Sequence, residues 1–127
     1  VVTGNVAIVE ILRRDRPNAT IVINSLLPPL NSITTNNNNN NNNRLQDDPV
    51  WQKIRAINHQ LECFAVSRTR IEFFNATTYF LNQEGTRVNA SLMTDMVHPS
   101  VEGTRIWGQA IVERVQQLLL LGAPGGE

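Results

Sequence analysis

A chain of 127 residues with 41% hydrophobic and 17% charged residues has the material for one modest core and is too apolar for a disordered polymer. Eleven basic residues balance eleven acidic ones with no basic cluster, so nothing marks a surface for a nucleic-acid backbone. The longest apolar run, Leu118 to Leu121, is far too short to span a bilayer.

In chain order, residues near Asn5 to Arg14 place Ile8, Ile11 and Leu12 on one helical face. Arg13, Arg14 and Arg16 follow at the C-terminal end, where cations suit the helix dipole. Pro17-Asn18 breaks this helix. Thr20 to Leu26 is a continuous aliphatic and β-branched run, as expected of a strand covered on both faces, and Pro28-Pro29 ends it. Asn36 to Asn43 is an unbroken run of eight asparagines. It has no periodicity and no apolar area to bury, so a disordered Asn-rich insertion is expected at about 31–46, in the loop after the first strand. A neutral repeat expansion is favoured for it over a rim element above a site.

Asp48 caps a second helix with Pro49 at its first position, and Val50, Ile54, Ile57, Leu61 and Phe64 recur at helical spacing. Cys63 is read as a packed small hydrophobe, and a single cysteine excludes an internal disulfide. His59 falls on the polar side and is read as solvated, whereas Asn58 is expected to pin backbone or loop groups. Thr69 to Phe74 is the second strand, and Gly85 to Val97 is loop, with a turn at Gly85. Glu72, Glu84 and Glu102 stand isolated, Glu102 favouring the start of the last helix through its dipole. From Val101 to Leu121, Trp107, Ala110, Ile111, Val115, Leu118 and Leu119 form one stripe, and Gly122 supplies a stop. Strands alternating with helices predict βαβ crossovers and a parallel sheet, with sites beyond the carboxyl ends of the strands. Leu27-Pro28 and the loop carrying Asp95 and His98 leave from those ends.

That loop, Asp95-Met96-Val97-His98-Pro99-Ser100, holds the densest chemistry of the chain. A carboxylate three residues before a histidine can orient the imidazole and stabilise the imidazolium formed when a hydroxyl proton is taken. Pro99 stiffens the loop and Ser100 is a good N-cap for the helix that follows. The same spacing also fits a plain surface loop ahead of a capped helix.

Several segments in order resemble the C-terminal half of the SGNH (GDSL-type) hydrolases, closest to the branch of the platelet-activating-factor acetylhydrolase catalytic subunits. Pro17 to Ile23 followed by Ser25-Leu26-Leu27-Pro28 is similar to that family's strand ending in "LLP". Asn58 and Leu61 resemble its N-x-x-L helix, Ile71 to Phe74 with Tyr79-Phe80 its next strand and aromatic turn, and Asp95, His98 and Pro99 its last motif. The resemblance covers Val6 to about Leu121. It implies a three-layer α/β/α, flavodoxin-like domain with a parallel sheet, of which residues 1–127 form only the C-terminal portion. It further implies a Ser-His-Asp triad in which His98 is general base and then general acid, and Asp95 orients it.

The family's G-D-S serine and its oxyanion-hole glycine and asparagine have no counterpart here. Gly4-Asn5 opens a helical pattern, and Ser25 and Ser32 lack a nucleophile turn. The expected function is therefore ester hydrolysis, acyl or acetyl, with the nucleophile outside this chain. A non-catalytic fragment or pseudoenzyme interaction domain is the alternative. The substrate would be a small-molecule, glycan or lipid ester. No cofactor or metal is implied, since no Cys/His cluster has ligand spacing and no glycine-rich phosphate loop occurs. No nucleic-acid partner or membrane span is expected, and homo-oligomerisation stays open. Three sequons, at Asn18, Asn75 and Asn89, would allow glycosylation in a secretory compartment, although a glycan at Asn75 would sit awkwardly at a strand end.

Overall fold

The computed structural model describes residues 1–30 and 44–122, so the asparagine run and Ser32 lie outside the described residues. Helix α1 (Val2–Asp15) leads to strand β1 (Ile21–Asn24), and helix α2 (Pro49–Val66) crosses over to strand β2 (Ile71–Phe74). Helix α3 (Val101–Gly122) closes the order. The two strands pair in parallel, Ile21 opposite Ile71 and Asn24 opposite Phe74. A β-helix-β crossover is what a parallel pair requires.

Local chemistry fixes α2 first. The Val50 amide donates to Asp48 Oδ1 at 2.8 Å, and Pro49 stands where its missing N–H leaves nothing unsatisfied. Trp51, Asn58, Leu61 and Ala65 are its buried positions; Val50 points outward. Ile23 and Ile71 pack with Leu61 and Ala65 of α2 and Val9 of α1. Strand side chains alternate, so Val22 and Glu72 lie on the other face. There Val22 lines a groove with Val115 and Leu118 of α3, and Arg114 donates to Glu72 at 2.8 Å. The result is three layers: α1 with α2, the parallel sheet, then α3. A second core gathers Leu45, Trp51, Phe80, Val88, Leu92 and Met93 beyond the carboxyl ends of the strands.

Several expectations need correction. The strands are shorter than Thr20 to Leu26 and Thr69 to Phe74. Leu26 is held by a side chain of α2 instead of a strand, and Arg70 turns with φ 61° just ahead of β2. Leu45–Asp47 is a short 3-10 helix with Leu45 buried, so Leu45 and Gln46 at the end of the stretch expected at about 31–46 are regular structure, and residues 31–43 of it lie outside the described residues. The stretch from Gly85 to Val97 is more than loop: Ala90–Leu92 is a 3-10 helix, and isolated antiparallel bridges join Leu81 to Val88 and Met93 to Pro99. A further 3-10 helix, Ala76–Phe80, follows β2. Asn75 and Asn89, both sequon asparagines, cap these turns, each accepting at 3.2 Å from the amide two residues on.

Cys63 is exposed, with its sulfur 3.7 Å from His59 Nε2, because it lies off the buried line of α2. Glu72 and Glu102 are not isolated; they pair with Arg114 and Arg105. On α1 it is Val9 that is buried, while Ile8, Ile11 and Leu12 are 59%, 50% and 43% exposed. The stripe on α3 is likewise covered only in part: Ala110 is buried, but Leu119 is 69% exposed. Gly85 turns as expected, with φ 70°.

Candidate active site

The carboxyl ends of β1 and β2 are stitched together before any catalytic group is placed. Asn58 brackets Leu26 from α2: the Leu26 amide donates to Asn58 Oδ1 at 2.8 Å, and Asn58 Nδ2 donates to the Leu26 carbonyl at 3.0 Å. The buried Ser25 hydroxyl accepts from the Ala76 amide at 2.9 Å, which locks the end of β1 to the turn after β2. The Leu30 amide then donates to the Met96 carbonyl at 2.9 Å, and the loop after β1 thereby carries the loop of Asp95 and His98.

That loop is held from within as well. The Thr94 amide donates to the His98 carbonyl and the Ser100 amide to the Leu92 carbonyl, both at 2.8 Å. Ser100 Oγ accepts from the Gly103 amide at 3.1 Å as an N-cap and donates to the Ser91 carbonyl at 2.9 Å. Gly103 was not singled out by sequence. A Cβ on it would collide with the Leu92 carbonyl oxygen, so glycine is what lets α3 start against the Ala90–Leu92 turn. Its sequence signal is a small residue three positions after a serine cap.

Asp95 and His98 meet. His98 Nδ1 is 2.8 Å from Asp95 Oδ2, and Asp95 Oδ1 accepts the Val97 and His98 amides, each at 2.8 Å. The Val97 amide foremost, then the His98 ring and the His98 amide, lower the Asp95 pKa to about 2. At neutral pH the carboxylate can therefore only accept. A neutral His98 then carries its proton on Nδ1, and Nε2 is left as the free base position. The two side chains are 73% and 53% exposed, and no hydroxyl among the described residues hydrogen-bonds to His98.

Other polar candidates are otherwise engaged. Ser25 and Ser100 hold backbone groups, and Asn5 sits in α1, donating to the Val1 carbonyl at 3.0 Å. A groove of about 530 Å³ along α2 and β2 includes Arg55, His59 and Asn75 but neither Asp95 nor His98. Among the described residues no group of His, Cys, Asp and Glu could hold a metal, and no helix is long and apolar enough to cross a membrane.

Neither a protein-family model nor a curated protein matches the sequence. Solved structures do match the fold. A provisionally assigned acylhydrolase of Bacteroides fragilis aligns with TM-score 0.68 at 19% identity, over 93% of this chain and 51% of its own. A GDSL-like lipase of Bacteroides thetaiotaomicron aligns with TM-score 0.63 at 23% identity, over 91% and 51%. The esterase domain of the ORF1 protein of the zebrafish ZfL2-1 retrotransposon gives TM-score 0.64 at 17% identity, over 91% and 56%. The chain thus has an SGNH/GDSL hydrolase-like fold. More particularly, it is an α/β fragment of that fold, spanning about half the length of the structures it matches.

Proposed function

We propose that this chain is the acid–base half of an SGNH-type ester hydrolase. The observation that carries the reading is the Asp95–His98 contact of 2.8 Å, on a loop tied to the carboxyl end of β1 in a fold shared with esterases and lipases. Asp95 orients the imidazole and balances the charge it acquires. His98 Nε2 takes the proton of a serine hydroxyl as the oxygen attacks the ester carbonyl, then returns it to the leaving alkoxide. The serine and the oxyanion donors come from polypeptide outside these residues, which hold no G-D-S motif. Acetylated sugars, acetylated phospholipids and simple acyl esters all suit this chemistry.

In a protein that carries the serine, His98→Ala is expected to lower ester hydrolysis at least about a thousandfold, with Asp95→Asn costing as much or less. Turnover of p-nitrophenyl acetate measures both. Wild-type rates in the His98→Ala protein would end the assignment and favour a non-catalytic interaction domain. Residues 1–127 alone are expected to leave that ester at its background rate.

A further inference from the structure

Seven asparagines fall among the described residues, and they divide into two groups. Asn18, Asn75 and Asn89 are exposed, whereas Asn5, Asn24, Asn58 and Asn82 are half-buried or buried. Each of the exposed three opens an Asn-Ala-Ser/Thr triplet, and none of the other four stands two residues before a hydroxyl.

The same division appears at the side-chain nitrogen. Asn5 Nδ2 donates to the Val1 carbonyl and Asn58 Nδ2 to the Leu26 carbonyl, both at 3.0 Å, and Asn82 Nδ2 donates to Thr86 Oγ1 at 3.3 Å. The sequon asparagines donate from Nδ2 to no described residue. Asn75 and Asn89 engage the fold through the other atom, Oδ1. Asn75 Oδ1 accepts from the Thr77 amide at 3.2 Å and from the Thr77 hydroxyl. Asn89 Oδ1 accepts from the Ser91 amide at 3.2 Å and from the Ser91 hydroxyl at 2.8 Å. Asn18 uses only its backbone carbonyl, which accepts from Arg70 Nη1 at 2.9 Å. Capping explains an oxygen at positions 75 and 89, which aspartate or serine would supply as well. It explains neither the hydroxyl two residues on, where the amide already makes the capping bond, nor Asn18, which caps nothing. Asn75 also lies beyond the end of β2, in the turn that follows, so a sugar there meets no strand ladder.

We propose that Asn18, Asn75 and Asn89 are N-glycosylation sites of a chain that passes through a secretory compartment. In the transfer, Nδ2 forms a bond to the anomeric carbon of an oligosaccharide carried on a lipid diphosphate. The carbon–oxygen bond to the diphosphate breaks, and its electron pair leaves with the diphosphate. Nδ2 gives up one of its two protons to a base of the transferase. Oδ1 takes no part, so the turns at Thr77 and Ser91 keep their hydrogen bonds once the sugar is attached. At Asn58 the same reaction would put a bulky group on the nitrogen that holds the Leu26 carbonyl. The proposal stands independently of the ester hydrolase reading.

The test isolates the protein from the cells that make it and treats it with peptide-N-glycosidase. That enzyme releases the sugar and leaves aspartate at the attachment point. Gel mobility should increase on treatment, and peptide mass spectrometry should find the new aspartates at positions 18, 75 and 89. Asn18→Asp, Asn75→Asp and Asn89→Asp keep the Oδ1 acceptor and lose only the nitrogen, so each should remove one glycan from a folded protein. Thr20→Val and Ser91→Ala keep the asparagine and remove the sequon hydroxyl, and each should remove one glycan as well. A mobility unchanged by the glycosidase would overturn the proposal. So would new aspartates confined to asparagines outside the three triplets. A mass gain that survives in the variant lacking all three asparagines would assign the sugar to hydroxyl side chains instead.

Discussion

The loop from Thr94 to Ser100 and the outer side of β1 lie at two margins of one sheet, and they are built oppositely. The loop carries small polar groups, and nearly every one is spent on a neighbour: Asp95 on two amides and a ring nitrogen, Ser100 on an amide and a carbonyl, the Thr94 hydroxyl on the Pro99 carbonyl. The outer side of β1 has no strand beside it among the described residues, and on one face its Val22 meets α3 only across an open groove. Hydrogen bonds between near neighbours in sequence can complete a site locally. Apolar burial cannot be completed locally, because it needs a second surface of comparable area. A carboxylate–imidazole pair can therefore be in order while apolar side chains of the same chain stay partly exposed.

The largest effect on stability should come from the junction that joins the loop to α3. Gly103→Ala drives a methyl group into the Leu92 carbonyl, and backbone cannot swing aside as a side-chain tip can. A loss of about 3 kcal/mol is expected, the upper range for overpacking, seen as a lower midpoint in urea unfolding. Gly108→Ala in the same helix meets nothing within 4 Å and should stabilise by about 0.5–1 kcal/mol, the usual gain over glycine in a helix interior. Equal effects from the two substitutions would mean that α3 does not start against the Ala90–Leu92 turn.

Asn58→Ala comes next. It strips Leu26 of both partners at a part-buried position just past β1, and the unsatisfied amide and carbonyl there should cost about 1–3 kcal/mol. The Asp95–His98 loop hangs from the same segment through Leu30 and Met96, so the His98 ring resonances should broaden or shift as well. An unchanged melting curve would show that the bracket around Leu26 is dispensable.

How far these features could be read in advance depended on how local their causes are. The start of α2 was legible because Asp48 and Pro49 act within one turn, and the Asp95–His98 contact because three residues separate the partners. Asn58 was read as a pin because a polar residue among buried helical positions must find a partner. Period alone did not show which apolar face of α1 is covered: it placed Ile8, Ile11 and Leu12 together, but Val9 meets the sheet. Cys63 was misjudged on the same ground. Gly103 and the Glu72–Arg114 pair rest on contacts across the fold, the latter between residues 42 positions apart, and no local pattern encodes them. The 3-10 turns capped by Asn75 and Asn89 were masked because the same asparagines read as sequons.

The smallest effect separates the two regions by pH. The Asp95 carboxyl is lowered from 3.8 to about 2 by the Val97 and His98 groups that bond its charged form. A depressed acid contributes stability that is present above its ordinary value and is lost as pH falls through its value in the fold. The change should therefore run between pH 3.8 and about 2, and it should be local, since the partners are its own loop amides and ring. Val97 and His98 amide shifts followed by NMR from pH 6 downward should move over that window, while the amides of Ile21 and Ser25 stay protected. Asp95→Asn should remove the step, because an amide side chain does not titrate there. If the sheet amides lose protection at the same pH as the loop, the carboxyl-edge loop and the open side of β1 fail as one unit, and the independence drawn between them is wrong.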